Sequence, residues 1–342
     1  MRKNNSFQRC VAFFSFLFMS TASWAYYFCV DGIYYERLSY GKNLYVTYKT
    51  TWEQVYSGDI YIPAKVEVSG VVWNVNYIGE KAFNGSGITS VTIENGVRSI
   101  EKEAFQSCQS LTTIKLPESL MWAGKNAFAF CENLERVEFA SMSHFCQMSY
   151  ESQQASPMFI TRCAYINGVK VTEAKIPDGV MDIGSFAFAY CPDITSVTIP
   201  ESVITIKNNA FTLDTGLTSI TLPGKLKTIE GYAFSGCENL TSVICLTSTV
   251  PTVYDGVFNG VPLSSATLYV PLSALNAYKN ADGWRDFGTI VGFDPSAVEE
   301  LKSNNNLNAN ENAPIYDLMG RRLSRKPANG YYIQSGKKFL VK

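Results

Sequence analysis

The chain has 342 residues, 46% of them hydrophobic and 17% charged, which excludes wholesale disorder and leaves room for two globular domains or one elongated repeat domain. Lys and Arg number 29 against 30 Asp and Glu, but the two signs are unevenly spread. Residues 313–342 hold seven cations and one anion, while the body before them is acidic and lacks the basic stripe that a nucleic-acid partner requires.

At the N-terminus, Arg2, Lys3 and Arg9 precede an apolar run from Val11 to Met19, and small residues then lead to Ser23-Trp24-Ala25. This order predicts a secretory signal peptide over residues 1–25, cut after Ala25. The apolar run falls well short of the ~20 residues a helix needs to cross a bilayer, so no transmembrane segment is expected once the signal is removed. Three cations leave with it, so 26 Lys and Arg then stand against 30 Asp and Glu. Residues 26–77, rich in Tyr, Val and Thr, read as a β-rich N-terminal cap.

Residues 78–246 repeat. An Ala-Phe pair stands at Ala82-Phe83, Ala104-Phe105, Ala127-Phe128, Ala187-Phe188, Ala210-Phe211 and Ala233-Phe234, with Val257-Phe258 as a degenerate copy. A second pattern, L/I-x-x-V/I-x-I/L, starts at Ile88, Leu111, Leu134, Val171, Ile194, Leu217 and Leu240, at spacings of 23, 23, 37, 23, 23 and 23. Self-similarity at this period predicts a leucine-rich-repeat solenoid of about 23 residues per turn, β-rich with short helical turns and capped at both ends. Within a turn such as Ile183–Thr205, Val197 and Ile199 point inward and Thr198 outward as in a half-buried strand, which Pro200 ends. A second strand is expected at Val203–Ile206, with equivalents at 97–100, 120–123, 180–183 and 226–229. The Ala-Phe segment should form a helical turn whose Phe plugs the core. The irregular turn at 140–170 lacks that pair, holds the sole histidine, His144, and is either a functional loop or a core filler through Phe145, Met158, Phe159, Tyr165 and Ile166.

Beyond the repeats, residues 247–300 read as a C-terminal cap with a helix from about Leu272 to Lys279 that Pro271 can start. An Asn-rich linker follows at 301–313, and a basic tail at 314–342. Eight cysteines lie outside the signal. Cys108, Cys131, Cys191 and Cys237 each sit three residues after a repeat Phe, in a slot that other turns fill with Ser86, Asp214 and Val261. Parallel side chains bridge poorly, so a ladder of buried free thiols is expected rather than disulfides.

No H-E-x-x-H, Walker loop, Gly-rich dinucleotide fingerprint or C-x-x-C spacing occurs, so no enzyme activity, metal or cofactor is expected. His144 and Cys146 are too weak a pair to predict a nucleophile. Binding has more to show. The outward positions of the first strands read Thr92, Lys115, Glu138, Lys175, Thr198, Thr221 and Ile244, flanked by Thr89, Thr112, Glu135, Thr172, Thr195, Thr218 and Thr241. Lys115, Glu138, Lys175, Thr198 and Thr221 are the candidate binding residues, although threonine is also what an exposed strand prefers by propensity alone. On the other strand, Trp122 is either a binding anchor or packing beside the small Ala123.

The run "LTSVTIP-S-V-x-x-I-x-x-x-AF-x-x-C" resembles the BspA-like leucine-rich repeat of secreted bacterial surface proteins. "DGIYY", "SGDIYIPAKVEVSG", "HFCQMSYESQQASPMF" and "TLYVPLSALNAYKNADGWRDF" extend the resemblance over about residues 30–293. Residues 315–342 resemble the end of a type IX secretion sorting domain, in a shortened form. The resemblance implies a secreted or cell-surface, non-catalytic adhesion or recognition protein. Its expected partners are a host or bacterial surface protein or glycan, and the secretion machinery through the tail. The alternative is a structural or nutrient-uptake-associated component of the envelope, in the periplasm.

Overall fold

The computed structural model describes residues 27–39, 41–48 and 56–294, together with 315–316, 322–323, 330–334 and 337–341 of the tail. The expected signal peptide, the Asn-rich linker and the last residues of the expected C-terminal cap lie outside the described residues.

The repeats stack their strands in two columns. In the first, Ser57–Ile62, Gly87–Ile93, Thr113–Leu116, Arg136–Phe139 and Tyr165–Ile166 pair in parallel. A second sheet of the same column runs through Glu173–Lys175, Ser196–Thr198, Ser219–Leu222, Ser242–Cys245, Thr267–Pro271 and Thr289–Phe293. Register holds because one face is buried: Val91 lies opposite Ile114 and Ile114 opposite Val137, all in the core. The second column begins at Val71–Ile78 and continues through Ser99–Ile100, Trp122–Ala123 and Ser149–Tyr150, then Asp182–Ile183, Thr205–Ile206, Thr228–Ile229 and Thr252–Val253.

These second strands are two residues long, shorter than the four expected. The missing residues are spent on turns: Leu120, Val203 and Leu226 donate their amides to Pro117, Pro200 and Pro223 at 3.0, 3.1 and 3.2 Å.

The Ala-Phe segments also differ from expectation, because they are not helical. Residues two before and two after each Phe take left-handed backbone, as at Glu103 (φ 57°), Ser107 (59°), Asn126 (59°) and Phe130 (61°). That alternation points every second amide at the next turn. Glu103, Phe105 and Ser107 donate to Lys125, Ala127 and Ala129 at 3.0, 2.9 and 2.8 Å. A helix would turn those amides back on its own carbonyls, whereas a stack needs them between turns.

Inside, the repeat phenylalanines form a spine. Phe83, Phe105 and Phe128 stack at 5.1 and 5.4 Å, and Phe188, Phe211, Phe234 and Phe258 at 5.0, 5.2 and 5.8 Å, all within 9° of parallel. The irregular turn joins the two runs with helices at Met142–Gln147 and Met158–Thr161 that bury Phe145 and Met158. Phe159, Tyr165 and Ile166 are only half-buried, so the core-filling role falls on part of the expected set. Gly184 lets the halves meet, since a Cβ there would stand 2.1 Å from the Met148 carbonyl oxygen.

After the repeats, a 3-10 turn at Leu272–Ala274 precedes the helix Leu275–Asn280, so the helix starts three residues later than expected. The described tail strands form an antiparallel sheet in the order Arg322–Leu323, Ile315–Tyr316, Gly330–Gln334, Lys337–Val341.

Candidate binding surface

The outward row of the first column is divided between its two sheets. Thr92, Lys115 and Glu138 stand side by side on one, and Lys175, Thr198 and Thr221 on the other. Between Glu138 and Lys175 comes Tyr165, which pairs with Glu138 and belongs to a hairpin closed by Val169–Lys170. Sequence spacing could not show this hairpin, which lies within the longest interval between repeats.

Glu138 is committed to that hairpin. Its Oε2 accepts from Arg136 Nε and Nη2 at 3.1 and 2.8 Å, and its Oε1 accepts from the Gly168 amide at 2.6 Å. The Arg136 guanidinium in turn lies 4.3 Å over the Tyr165 ring. Burial pulls the Glu138 pKa up, but the Gly168 amide and Arg136 outweigh it and hold the carboxyl below its usual value. Lys115, Lys175 and Thr198 are exposed, and Thr221 is half-exposed. Ile244 departs from expectation: it is buried along with Val243 and Cys245, so the row ends at Thr221.

The flanking threonines Thr89, Thr112, Thr172, Thr195, Thr218 and Thr241 are exposed, as is Glu135. Their backbones belong to the ladder, with Thr112, Glu135, Thr195 and Thr241 donating to the threonine one turn before at 2.9, 2.9, 3.0 and 3.0 Å. On the second column, Met121 and Met181 are exposed, and Trp122 lies with one edge over Gly124, where a Cβ would come 3.0 Å from its Cζ3.

The irregular turn does not assemble a nucleophile. His144 is buried with Nε2 2.7 Å from the Leu120 carbonyl, and burial lowers its pKa. Burial also pushes the Cys146 thiol up to about 12, the opposite of what a thiolate–imidazolium pair requires. All eight described cysteines are free thiols. In the repeat slot, Cys108, Cys131 and Cys237 donate to the carbonyls of Phe83, Phe105 and Phe211, one turn back, at 3.1, 2.9 and 3.1 Å. Among the described residues, no group of His, Cys, Asp and Glu is arranged to hold a metal ion. No helix there is long and apolar enough to cross a membrane.

This geometry defines a strand-dominated leucine-rich-repeat protein with little helix. The sequence matches the model of the BspA type leucine rich repeat region over residues 76–167 and 158–281, in 6 copies, and the chain belongs to that family. Among solved structures it is similar to a leucine rich cell surface protein from Faecalibacterium prausnitzii, with 22% identity, 81% of this chain and 78% of that chain covered, and a TM-score of 0.43. A leucine-rich repeat protein from Bacteroides ovatus shows 20% identity, 78% and 76% coverage and a TM-score of 0.41. The T. pallidum leucine rich repeat protein shows 23%, 67%, 86% and 0.37 in the same order. No curated protein matches the sequence.

Proposed function

We propose that this is a secreted or outer-surface, non-catalytic binding protein that recognises a protein or glycan partner through the outward row of its first strand column. One observation carries the reading: Lys115 on one sheet and Lys175, Thr198 and Thr221 on the other present polar groups on rigidly paired strands. Strands fixed by a backbone ladder hold such groups without the ordering loss that a loop would incur. In this reading Glu138 positions its neighbours, being already bonded to Arg136 and Gly168. The basic tail, 314–342, serves as the contact for the secretion machinery.

Two experiments test the reading. Protease shaving of intact cells should cleave the repeat region; protection until lysis would favour the envelope-component alternative. The Lys115→Glu/Lys175→Glu variant should then lose binding to whichever member of a panel of matrix proteins and surface glycans the parent chain binds. Equal binding by both proteins rejects this face.

A further inference from the structure

A second surface differs in chemistry from that row. Where the N-terminal strands meet the first two repeat turns, an open cleft of about 560 Å³ runs along the edge of the second column. Its lining is mostly polar: Asn74, Asn76 and Asn95 supply side-chain amides and Lys65 and Arg98 two cations, beside the half-buried Tyr77 ring and Ala64. The volume falls within the range of small-ligand sites, ~300–1,000 Å³, but those are mostly lined by apolar side chains.

The cleft brings together, in one turn, features that other turns carry singly or not at all. Gly96 forms part of its wall with φ 142°, and a Cβ there would come 2.8 Å from the Ala64 Cβ. Asn95 precedes that glycine, whereas the corresponding turns of the second half carry Asp178 before Gly179 and Glu201 before Ser202. Arg98 occupies a slot that later turns fill with Met121, Met181, Ile204 and Lys227, as the ladder shows: Met121 donates to Arg98 at 3.0 Å, Ile204 to Met181 at 2.7 Å and Lys227 to Ile204 at 2.9 Å. The body of the chain is acidic, yet the charged side chains that line this cleft are both cations.

Two nearby carboxylates already have partners, Glu94 at the wall of the cleft itself. Glu94 accepts from the Ala64 amide at 2.6 Å, and Glu118 accepts from Ser141 Oγ at 2.9 Å. Neither Lys65 nor Arg98 is paired with a carboxylate among the described residues. Two of the amides are held in place, Asn76 Nδ2 on the Gly96 carbonyl at 3.4 Å and Asn95 Oδ1 under the Ser119 amide at 2.9 Å. Each therefore keeps its other end available, an acceptor on Asn76 and a donor on Asn95.

We infer that this cleft is a binding site for an acidic oligosaccharide, one that carries a uronate-type carboxylate. Side-chain amides offer paired donors and acceptors to neighbouring sugar hydroxyls, and the Tyr77 ring offers an apolar face to sugar C–H groups. Arg98 can grip a carboxylate through two parallel N–H bonds, with Lys65 adding a point charge. The site is separate from the Lys115–Thr221 row and does not rest on it.

Isothermal titration of the full chain with tetragalacturonate, and with maltotetraose as its neutral counterpart, tests the inference. Tetragalacturonate should bind, maltotetraose about tenfold more weakly or worse, because the charge-assisted bonds carry the difference. Arg98→Met inserts the residue that Met121 and Met181 already place in that slot, and should weaken tetragalacturonate by about tenfold with an unchanged melting temperature. Lys65→Gln, at an exposed position, should weaken it by a smaller factor. Lys115→Glu/Lys175→Glu should bind the sugar as the parent does, which separates this site from the proposed face. Absence of tetragalacturonate binding, or equal binding by Arg98→Met, overturns the inference. So does displacement by an equal concentration of a short peptide with a free C-terminal carboxylate.

Discussion

Phe145 stands edge-on to Phe188, with ring centroids 4.8 Å apart and planes at 67°. It comes from a helix instead of an Ala-Phe turn, and it extends the second run of rings back into the irregular turn. On its other side it meets Phe139 at 4.7 Å, a ring of the preceding strand Arg136–Phe139 rather than of the first run. Stacked repeats draw stability from neighbour interfaces, and this interface has a single ring where the others have matched pairs. Phe145→Ala should therefore lower stability by about 3–5 kcal/mol, the usual cost of emptying a buried phenylalanine site. Urea unfolding followed by tyrosine and tryptophan fluorescence measures it, and the transition should split if the halves come apart before either unfolds. A single transition with an unmoved midpoint would show that the junction does not depend on this ring.

Glu138 gives a second prediction, because its carboxylate closes the Tyr165–Lys170 hairpin against the preceding strand. Glu138→Ala removes the acceptor of the Gly168 amide and both Arg136 bonds, a loss of about 1–3 kcal/mol felt locally. Its folded pKa lies below the unfolded value of ~4.3, so its stabilisation is present above that pH and is lost as pH falls through the folded value. The protection factor of the Gly168 amide, its intrinsic exchange rate at each pH divided by the observed rate, should fall in the variant at pH 7, and in the parent on acidification. A protection factor at Gly168 that does not change in either case would remove Glu138 from this role.

Much of the fold was legible because its determinants repeat. Phe105, Phe128 and Phe211 mark the core position of each turn, and Ile114 and Val137 mark the buried face of each first strand. The left-handed positions were not legible, since Lys81, Glu103, Asn126, Phe186 and Tyr232 share no side-chain chemistry; what they share is the inter-turn hydrogen bond each must make. Ile244 was misread because alternation assumes one wet face, whereas its strand is buried on both. The Tyr165 hairpin and the asparagine cleft escaped for a related reason. Asn76 stands one turn before Arg98 in the same slot, its carbonyl accepting from the Arg98 amide at 2.7 Å, but the repeat pattern fixes no side chain there and gives no sign that Asn74 and Asn95 gather beside them.

The thiol ladder makes a chemical prediction. The side-chain contact with Cys108, together with burial, raises the Cys131 thiol above the ordinary cysteine value, and burial raises Cys191, Cys237 and Cys245. Cys108, which its contact with Cys131 pulls the other way, is protected by burial alone, and every described cysteine except Cys29 is buried. Thiolate is the reactive form, so these side chains should resist alkylation in the folded protein. Iodoacetamide at pH 7.5 (about one unit below the ordinary thiol pKa of ~8.5) should label Cys29 first in the native chain without residues 1–25, and all eight of its cysteines after denaturation in urea. Intact mass spectrometry counts the labels. Native labelling at Cys108, Cys131 or Cys237 would mean that the Ala-Phe turns open on the timescale of the reaction.

Asp214 occupies the same slot as these cysteines and is the one ionisable oxygen acid among them. It is fully buried, and neither carboxyl oxygen has a hydrogen-bond partner among the described residues. Burial raises its pKa well above the usual carboxylate range, and its slot neighbours Cys191 and Cys237 are thiols that burial keeps protonated. The folded chain thus retains a proton that the unfolded chain releases near pH ~3.9. Wherever the folded state binds the extra proton, stability falls as pH rises, so the penalty grows from about pH 4 upward towards the folded value. Asp214→Cys, the residue used by four other turns, should remove that penalty and stabilise the chain by about 1–3 kcal/mol at pH 7, with less gain at pH 4. Melting temperatures of both proteins between pH 4 and pH 8 (spanning ~3.9 to neutrality) should diverge with rising pH. Parallel curves would mean that Asp214 ionises as readily in the folded chain as in the unfolded one, and that its slot is open to solvent.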